Sequence, residues 1–340
     1  MGNKQQKRLF CCLFLLQIYR KLEEGVVFLF NEIGVTQVTI PLPFRLNHVN
    51  CFIAEGARGW TIIDAGLNNE VSRDIWRPII EKHDVTDIIL THYHPDHFGY
   101  AGSLQQLTNA EVWMSEIDAE AGLTYWEPDS INVVNENYDR CGLPENLSQV
   151  LTTDEKSFNA QVKPYPTIQH YLEEGMKIVF GKYEYEVIFT PGHSDGLITL
   201  FNKENSVLFS TDHILPRISP NISYWFRGNR NPLQSFMTSL EKIKSLDVDF
   251  CVPSHGKPFR NANQRIEELL AHHFERLAET YEAIKQPATI YEVNQQLFRN
   301  LNIHETRFAV GETLAHLEYL YLNNQCKKFL QDGTWYYEGI

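Results

Sequence analysis

Thr91-His92-Tyr93-His94-Pro95-Asp96-His97 places three imidazoles and a carboxylate on one short stretch of chain. The run before it, Val85-Thr86-Asp87-Ile88-Ile89-Leu90, is largely apolar. The run after it, Phe98-Gly99-Tyr100-Ala101-Gly102-Ser103-Leu104, is small and helix-compatible. This pattern predicts a loop where a buried strand hands over to a helix. In extended backbone, side chains two apart point the same way, so His92 and His94 address one position. Asp96 and His97 lie beyond Pro95 and address a second position beside the first. Neutral imidazole with carboxylate is a donor set for zinc, iron or manganese, not for calcium.

Four further segments carry residues of the same kind. Thr190-Pro191-Gly192-His193 follows the strand-like Tyr185-Glu186-Val187-Ile188-Phe189. Ser210-Thr211-Asp212-His213 follows Val207-Leu208-Phe209, and Pro253-Ser254-His255-Gly256 follows Val248-Asp249-Phe250-Cys251-Val252. Upstream, Trp60-Thr61-Ile62-Ile63 ends in Asp64-Ala65-Gly66. Each candidate ligand thus follows an apolar strand, and a rigid sheet edge holds loop ligands in place.

These motifs, in this order, resemble those of the metallo-β-lactamase-fold hydrolases, and most closely the glyoxalase II, lactonase and ribonuclease-like branches. The resemblance implies an α/β fold, an αββα sandwich, over residues 31–260. It implies two zinc ions per chain, with iron or manganese as alternatives. One ion takes His92, His94 and His193, the other takes Asp96, His97 and His255, and Asp212 bridges them. Asp64 then stands behind the ligands as an acceptor that fixes an imidazole's tautomer. The implied reaction is hydrolysis of a small thioester, ester or lactone by a metal-bridged hydroxide, with Asp96 or Asp212 passing the proton onward. His213, Tyr224 and Trp225 are candidate substrate contacts. His193 is followed by Ser194-Asp195-Gly196, without the second histidine of many glyoxalase II sequences. That departure argues against a dedicated glutathione thioesterase.

The chain has 340 residues, long enough for two domains and a large core. A net charge of -13 opposes broad, charge-driven nucleic-acid binding but leaves a local basic groove open. The six cysteines form no C-x-x-C pair, and Cys51 and Cys251 lie in apolar runs. This usage fits free thiols in a reducing compartment and predicts a cytoplasmic protein. Residues 1–30 are atypical. Lys4, Lys7 and Arg8 precede the apolar run from Leu9 to Leu16, too short to span a bilayer, and no small-residue cleavage site follows. Leu22-Glu23-Glu24-Gly25 can be encoded by a ribosome-binding-like sequence, so the expected native start lies near residues 26 to 31.

Elsewhere the pattern predicts a hairpin of 35–40 and 49–54 with Asn47 and Asn50 at its turn, and helices over 70–83, 117–125 and 232–246. Residues 126–165 are rich in Asn, Asp, Pro and Gly and have weak periodicity, so they read as a variable cleft-lining segment. Residues 261–340 change character: helical patterning, a capping box at Thr289-Ile290-Tyr291-Glu292, and a hairpin about Gln331-Asp332-Gly333. Three helices and a hairpin look like a winged helix, which also ends a ribonuclease-like branch of the resembled family. With 7 Lys/Arg against 11 Asp/Glu, this tail is poorly suited to duplex DNA and better suited to covering the cleft. The alternative functions are a phosphodiesterase or ribonuclease of the same fold, for which RNA stays open as a partner, and a winged-helix ligand-sensing regulator.

Overall fold

The structure, a computed structural model, describes residues 30–340 apart from Phe158. The expectations placed on residues 1–29 lie outside the described residues. Six strands form a first sheet in the order β1 (Val35–Pro41), β2 (His48–Glu55), β3 (Trp60–Ile63), β4 (Val85–Ile89), β5 (Glu111–Ser115) and β6 (His170–Leu172). It is antiparallel from β1 to β3 and parallel from β3 to β6. A second sheet contains β7 (Lys177–Phe180), β8 (Tyr183–Phe189), β9 (Ile198–Asn202), β10 (Val207–Thr211), β11 (Phe250–Pro253) and β12 (Phe259–Arg260), in the order β12-β11-β10-β9-β8-β7.

Side chains alternate across each sheet, and the alternation builds three apolar layers. Phe52, Ile63 and Ile89 of the first sheet face Val187, Leu200, Phe209 and Val252 of the second. Phe52 meets Phe209 edge-on at 5.0 Å between ring centroids. Cys51, Ile53, Ile62 and Ile88 turn the other way, against helices α1 (Glu70–Ile80), α2 (Pro95–Phe98), α3 (Ala101–Thr108) and α4 (Glu116–Thr124). Trp76 of α1 is fully buried there and donates its indole N–H to the Ala65 carbonyl. The outer face of the second sheet carries Ile188, Leu208 and Cys251 and forms the third layer.

Residues 126–165 are more regular than their composition predicts. They contain α5 (Pro128–Arg140), α6 (Glu145–Ser157) and the short α7 (Asn159–Val162). In α5, Pro128 occupies the first turn, and Ile131, Val134 and Tyr138 recur at helical spacing and are buried. Tyr138 and Trp126, in the segment expected to line the cleft, are core residues. Asn50 lies inside β2 rather than at the hairpin turn, which closes instead with the Leu42 N–H donating to the Asn47 carbonyl.

After α8 (Pro232–Lys244) and the last two strands come α9 (Ala262–Ala283), α10 (Ile290–Leu297) and α11 (Ile303–Leu322). A small antiparallel sheet accompanies them, made of β13 (Ala288–Thr289), β14 (Cys326–Gln331) and β15 (Thr334–Gly339). The expected capping box is present: the Thr289 hydroxyl accepts from Glu292 N, and the Glu292 carboxylate accepts from Thr289 N. These elements share the third layer with the second sheet. Phe236 and Leu240 of α8 join Ile266 and Leu269 of α9, Ile290 of α10, and Leu314 and Leu317 of α11 in one buried cluster. α11 is therefore not a surface helix. Arg307 is buried, and Glu318 is buried against the Tyr337 hydroxyl and Lys328. No described helix is long and apolar enough to cross a membrane.

Because the third layer is common property, the C-terminal elements are not removable. Deletion of residues 261–340 is expected to give insoluble protein with no cooperative unfolding transition, since it strips the cover from Leu208, Phe236 and Leu240. A soluble truncated chain with a sharp thermal transition would show that the sandwich closes its own core.

Candidate metal centre

Strands β4, β8, β10 and β11 end on one rim of the sandwich, and the seven candidate ligands all sit there. His92 and His94 follow β4, and Asp96 and His97 lie in α2. His193 follows β8, Asp212 directly follows β10, and His255 follows β11. The backbone there is held in uncommon conformations. Asp64, at the end of β3, has φ 59°, and Thr211 has φ 47°. A left-handed β-branched residue is strained and persists only where its surroundings over-determine it. Gly192 beside His193 has φ 146°, and a Cβ there would stand 2.5 Å from Phe236 Cβ. Only glycine fits that crossing.

The imidazole nitrogens are assigned by their partners. His97 Nδ1 lies 2.8 Å from an Asp64 carboxylate oxygen, whose carboxylate also accepts from Thr91 N and Thr91 Oγ1. His193 Nδ1 donates to the Asn221 carbonyl at 2.8 Å, and His255 Nδ1 donates to the His48 carbonyl at 2.6 Å. With those protons committed, the Nε2 lone pairs of His97, His193 and His255 turn inward. They face one Asp212 oxygen at 3.6, 3.4 and 3.3 Å. His255 Nε2 also stands 3.4 Å from Asp96. His94 Nδ1 approaches His193 Nε2 at 2.8 Å. Lone pairs facing a carboxylate repel it unless a cation or a proton lies between. The buried Nε2 atoms of His92 and His97 and one Asp212 oxygen have no hydrogen-bond partner.

Three groups of donor atoms, each within 4.8 Å of one another, satisfy what an ion needs: His92, His94 and His193; His92, His97 and Asp212; Asp96, His97 and His255. Burial, reinforced by neighbouring imidazoles, holds His92 and His94 well below the usual histidine range and so in the neutral, ligating form. At His97, burial works the same way but is outweighed by the carboxylates of Asp96, Asp212 and Asp64, which hold its imidazole well above the usual histidine range. The residues present therefore fit divalent ions.

Residues outside the ligand motifs complete the site. Asp118 is fully buried and staples two ligand loops together. It accepts from Tyr93 N at 3.2 Å, from the Ser194 hydroxyl at 2.5 Å and from Gly196 N at 2.6 Å. Burial nevertheless raises its carboxyl to about 6. Asn50 reaches from β2 to the Pro253 and Gly256 carbonyls, and His48 Nε2 accepts from Gly256 N, so β2 clamps the His255 loop. An asparagine inside the apolar run Val49–Ala54 was a visible sign of such a clamp, whereas nothing local marks Asp118. Of the substrate-contact candidates, Trp225 lines a cleft beside His193 with Tyr93, Tyr125, Arg227 and Asn229. His213 does not line it. It is fully buried edge-on to Phe236 under α8, because the turn after Asp212 rotates it into the third layer. Tyr224 packs on the same apolar layer, against Phe226, and its N–H donates to the Gly311 carbonyl.

The profile of the metallo-beta-lactamase superfamily matches residues 45–255. The chain belongs to this superfamily. It is a superfamily hydrolase. A second profile, the metallo-beta-lactamase-like C-terminal domain, matches residues 277–340, in place of any winged-helix description. A probable metallo-hydrolase of Bacillus subtilis, YqjP, is 24% identical over 90% of this chain and 98% of its own length. The crystal structure of a beta-lactamase domain protein from Burkholderia ambifaria is 31% identical, covers 90% of this chain and 91% of that one, and superposes with a TM-score of 0.80. GloC, a hydroxyacylglutathione hydrolase of Haemophilus influenzae, is 29% identical over 50% of this chain and 69% of its own length.

A titration test follows from Glu312 of α11, which lies within 3.5 Å of the Asn221 amide behind His193. Burial raises its carboxyl from 4.5 to about 7, against the opposing effects of Arg276 and Asn221. A group raised in the native state holds its proton more tightly there than in the unfolded chain. Its contribution to stability is therefore full below 4.5 and is lost as pH rises towards 7. Glu312→Gln is expected to remove that loss, so its urea midpoint exceeds the wild-type value by a margin that grows across this window. A margin independent of pH would show that Glu312 titrates normally.

Proposed function

We propose that this hydrolase holds two zinc ions, with iron or manganese as alternatives, and cleaves a small thioester, ester or lactone. The convergence of three Nε2 lone pairs on Asp212 carries this reading. His92, His94 and His193 are assigned to one ion, Asp96, His97 and His255 to the other, and Asp212 lies between them. Bound there, a pair of divalent ions supplies Lewis acidity and lowers the pKa of water to about 7. The chain's own residues do the rest. Asp64, Asn221 and His48 hold the imidazoles in the ligating tautomer. Asp96 is the more exposed carboxylate at the centre and is placed to carry a proton out, while Asp212 is shielded. Tyr93, Tyr125 and Trp225 give the acyl group an apolar wall, and Arg227, stacked 5.4 Å from the Tyr125 ring, offers a cation at its rim.

The GloC relative supports a thioester as the reacting group. The stretch after His193, Ser194-Asp195-Gly196, lacks the second histidine of many glyoxalase II chains, and the Ser194 hydroxyl is committed to Asp118. A glutathione-specific enzyme is accordingly not the preferred form of the proposal. The C-terminal elements are assigned a winged-helix-like arrangement used for packing and for walling the cleft, with no duplex DNA partner. The inward placement of Arg307 and Glu318 supports this and opposes a ligand-sensing regulator. The described cysteines are free and buried, in keeping with a cytoplasmic protein.

Metal analysis of protein purified from zinc-supplemented medium is expected to give two ions per chain; saturation at one with full activity would reject the paired centre. Asp212→Ala is expected to weaken both ions, because it leaves two cations facing each other without a shared anion. In a substrate panel, an activated thioester or lactone is expected to exceed bis-nitrophenyl phosphate in kcat/KM. The reverse order, or a preference for RNA, would replace this reading with a phosphodiesterase or ribonuclease.

A further inference from the structure

The geometry points to α11 of the C-terminal unit as part of the metal centre: through the strip Asn221–Tyr224 it sets the position of His193. This rests on the metal-binding reading above but goes beyond it, because α11 supplies none of the ligands. The acceptor that fixes His193 is the backbone carbonyl of Asn221, 2.8 Å from Nδ1. That carbonyl belongs to a segment with no regular secondary structure, which takes its place from α11. Tyr224 N donates to the Gly311 carbonyl at 3.1 Å. The Asn221 side-chain amide lies 3.4 Å from the Phe308 carbonyl and 3.5 Å from a Glu312 carboxylate oxygen. The Ser223 hydroxyl donates to the Asn221 side-chain oxygen at 2.5 Å and lies 3.4 Å from the Phe308 carbonyl.

Gly311 permits this approach. A Cβ on it would stand 2.6 Å from Ser223 Oγ, 2.8 Å from Ser223 Cβ and 3.3 Å from Trp225 Cη2. The first two distances are impossible without movement, and Ser223 Cβ is not the end of a flexible chain. Glycine is otherwise the wrong residue for the interior of a 20-residue helix, where alanine is preferred. Its presence at this crossing therefore fits the close seat of the strip, and the strip carries both the acceptor of His193 and the cleft wall Trp225. His193 and its neighbours are thus positioned jointly by the sandwich, through Asp118 and Ser194, and by the C-terminal unit, through Asn221. Asn221 and Gly311 are positioning residues: neither reaches the ions.

The test is Gly311→Ala in the full chain, a change that favours the helix while pushing the strip off it. Zinc affinities are measured by chelator competition, and the visible spectrum is recorded on the cobalt(II)-loaded protein. One of the two ions is expected to bind about 10 to 100 times more weakly, the usual effect of disturbing the partner of a ligand imidazole, with the cobalt bands shifted and the other ion unchanged. Ser223→Gly removes the two atoms that the new Cβ would overlap and leaves only the milder approach of Trp225 Cη2 at 3.3 Å. The double variant Gly311→Ala/Ser223→Gly is therefore expected to recover affinity relative to Gly311→Ala, a recovery that general damage to α11 would not give. Asn221→Ala keeps the carbonyl but cuts the side-chain tie, and is expected to weaken the same ion to a smaller degree. Wild-type affinities and an unchanged cobalt spectrum in Gly311→Ala, or no recovery in the double variant, would overturn the inference. Fewer than two ions in the wild-type chain would instead overturn the paired centre itself.

Discussion

The site depends on where three imidazole protons are parked. His97 donates its Nδ1–H to Asp64, His193 to the Asn221 carbonyl and His255 to the His48 carbonyl, and each of these hydrogen bonds turns an Nε2 lone pair inward. The three acceptors come from three distant parts of the chain: the end of β3, the strip beneath α11, and the start of β2. A set of seven ligands therefore needs nearly the whole fold to be usable. The energetic reason is that an inward Nε2 lone pair beside a carboxylate is favourable only with a cation or a proton between them. The fold must therefore prevent the rings from rotating away, and buried hydrogen bonds to fixed acceptors do this.

The sandwich supplies rigidity in proportion to its packing. Alternation along β2, β8, β10 and β11 commits every strand to two apolar layers at once, so a strand cannot slide without exposing one face. The strand ends inherit that immobility. It is what tolerates Asp64 and Thr211 in left-handed conformations next to the functional carboxylates. In a looser frame these residues would relax, and Asp212 would leave the focus of His97, His193 and His255.

What was legible in the sequence is what chemistry restricts by residue type. Imidazoles and carboxylates after apolar strands have few other uses together, and the capping box at Thr289 was readable from its own residues; Asp64 was an implication of the family resemblance, and of the three aromatic candidates only Trp225 lines the cleft. Three kinds of residue were not. Asn221 acts through a backbone carbonyl, which any residue possesses. Asp118 acts across the molecule on Tyr93, Ser194 and Gly196, and its local neighbours suggest only a helix start capped by Ser115. His213 misled because it adjoins Asp212 in sequence, yet the turn after β10 sends it into the core. Helix α5 escaped because asparagines and aspartates on its exposed face dilute the spacing of Ile131, Val134 and Tyr138.

The C-terminal unit shows why composition alone could not fix its role. Its acidic balance argued against DNA, but the stronger argument is geometric. A helix that reads a groove must offer a polar face to solvent, and α11 spends its polar groups inside. His316 donates to the Glu312 carbonyl and meets His273 Nδ1 at 3.3 Å, and Ser219 stands 3.3 Å from the other nitrogen of His273. Burial keeps both rings neutral, His273 down to about 2 and His316 to about 4. This chain of polar groups crosses an otherwise apolar seam between α9, α11 and the loop before α8. A buried polar chain tolerates fewer registers than apolar packing, because sliding by one residue would leave each partner unsatisfied. The seam thus fixes α11 against the sandwich in one setting, and with it the carbonyl that His193 needs.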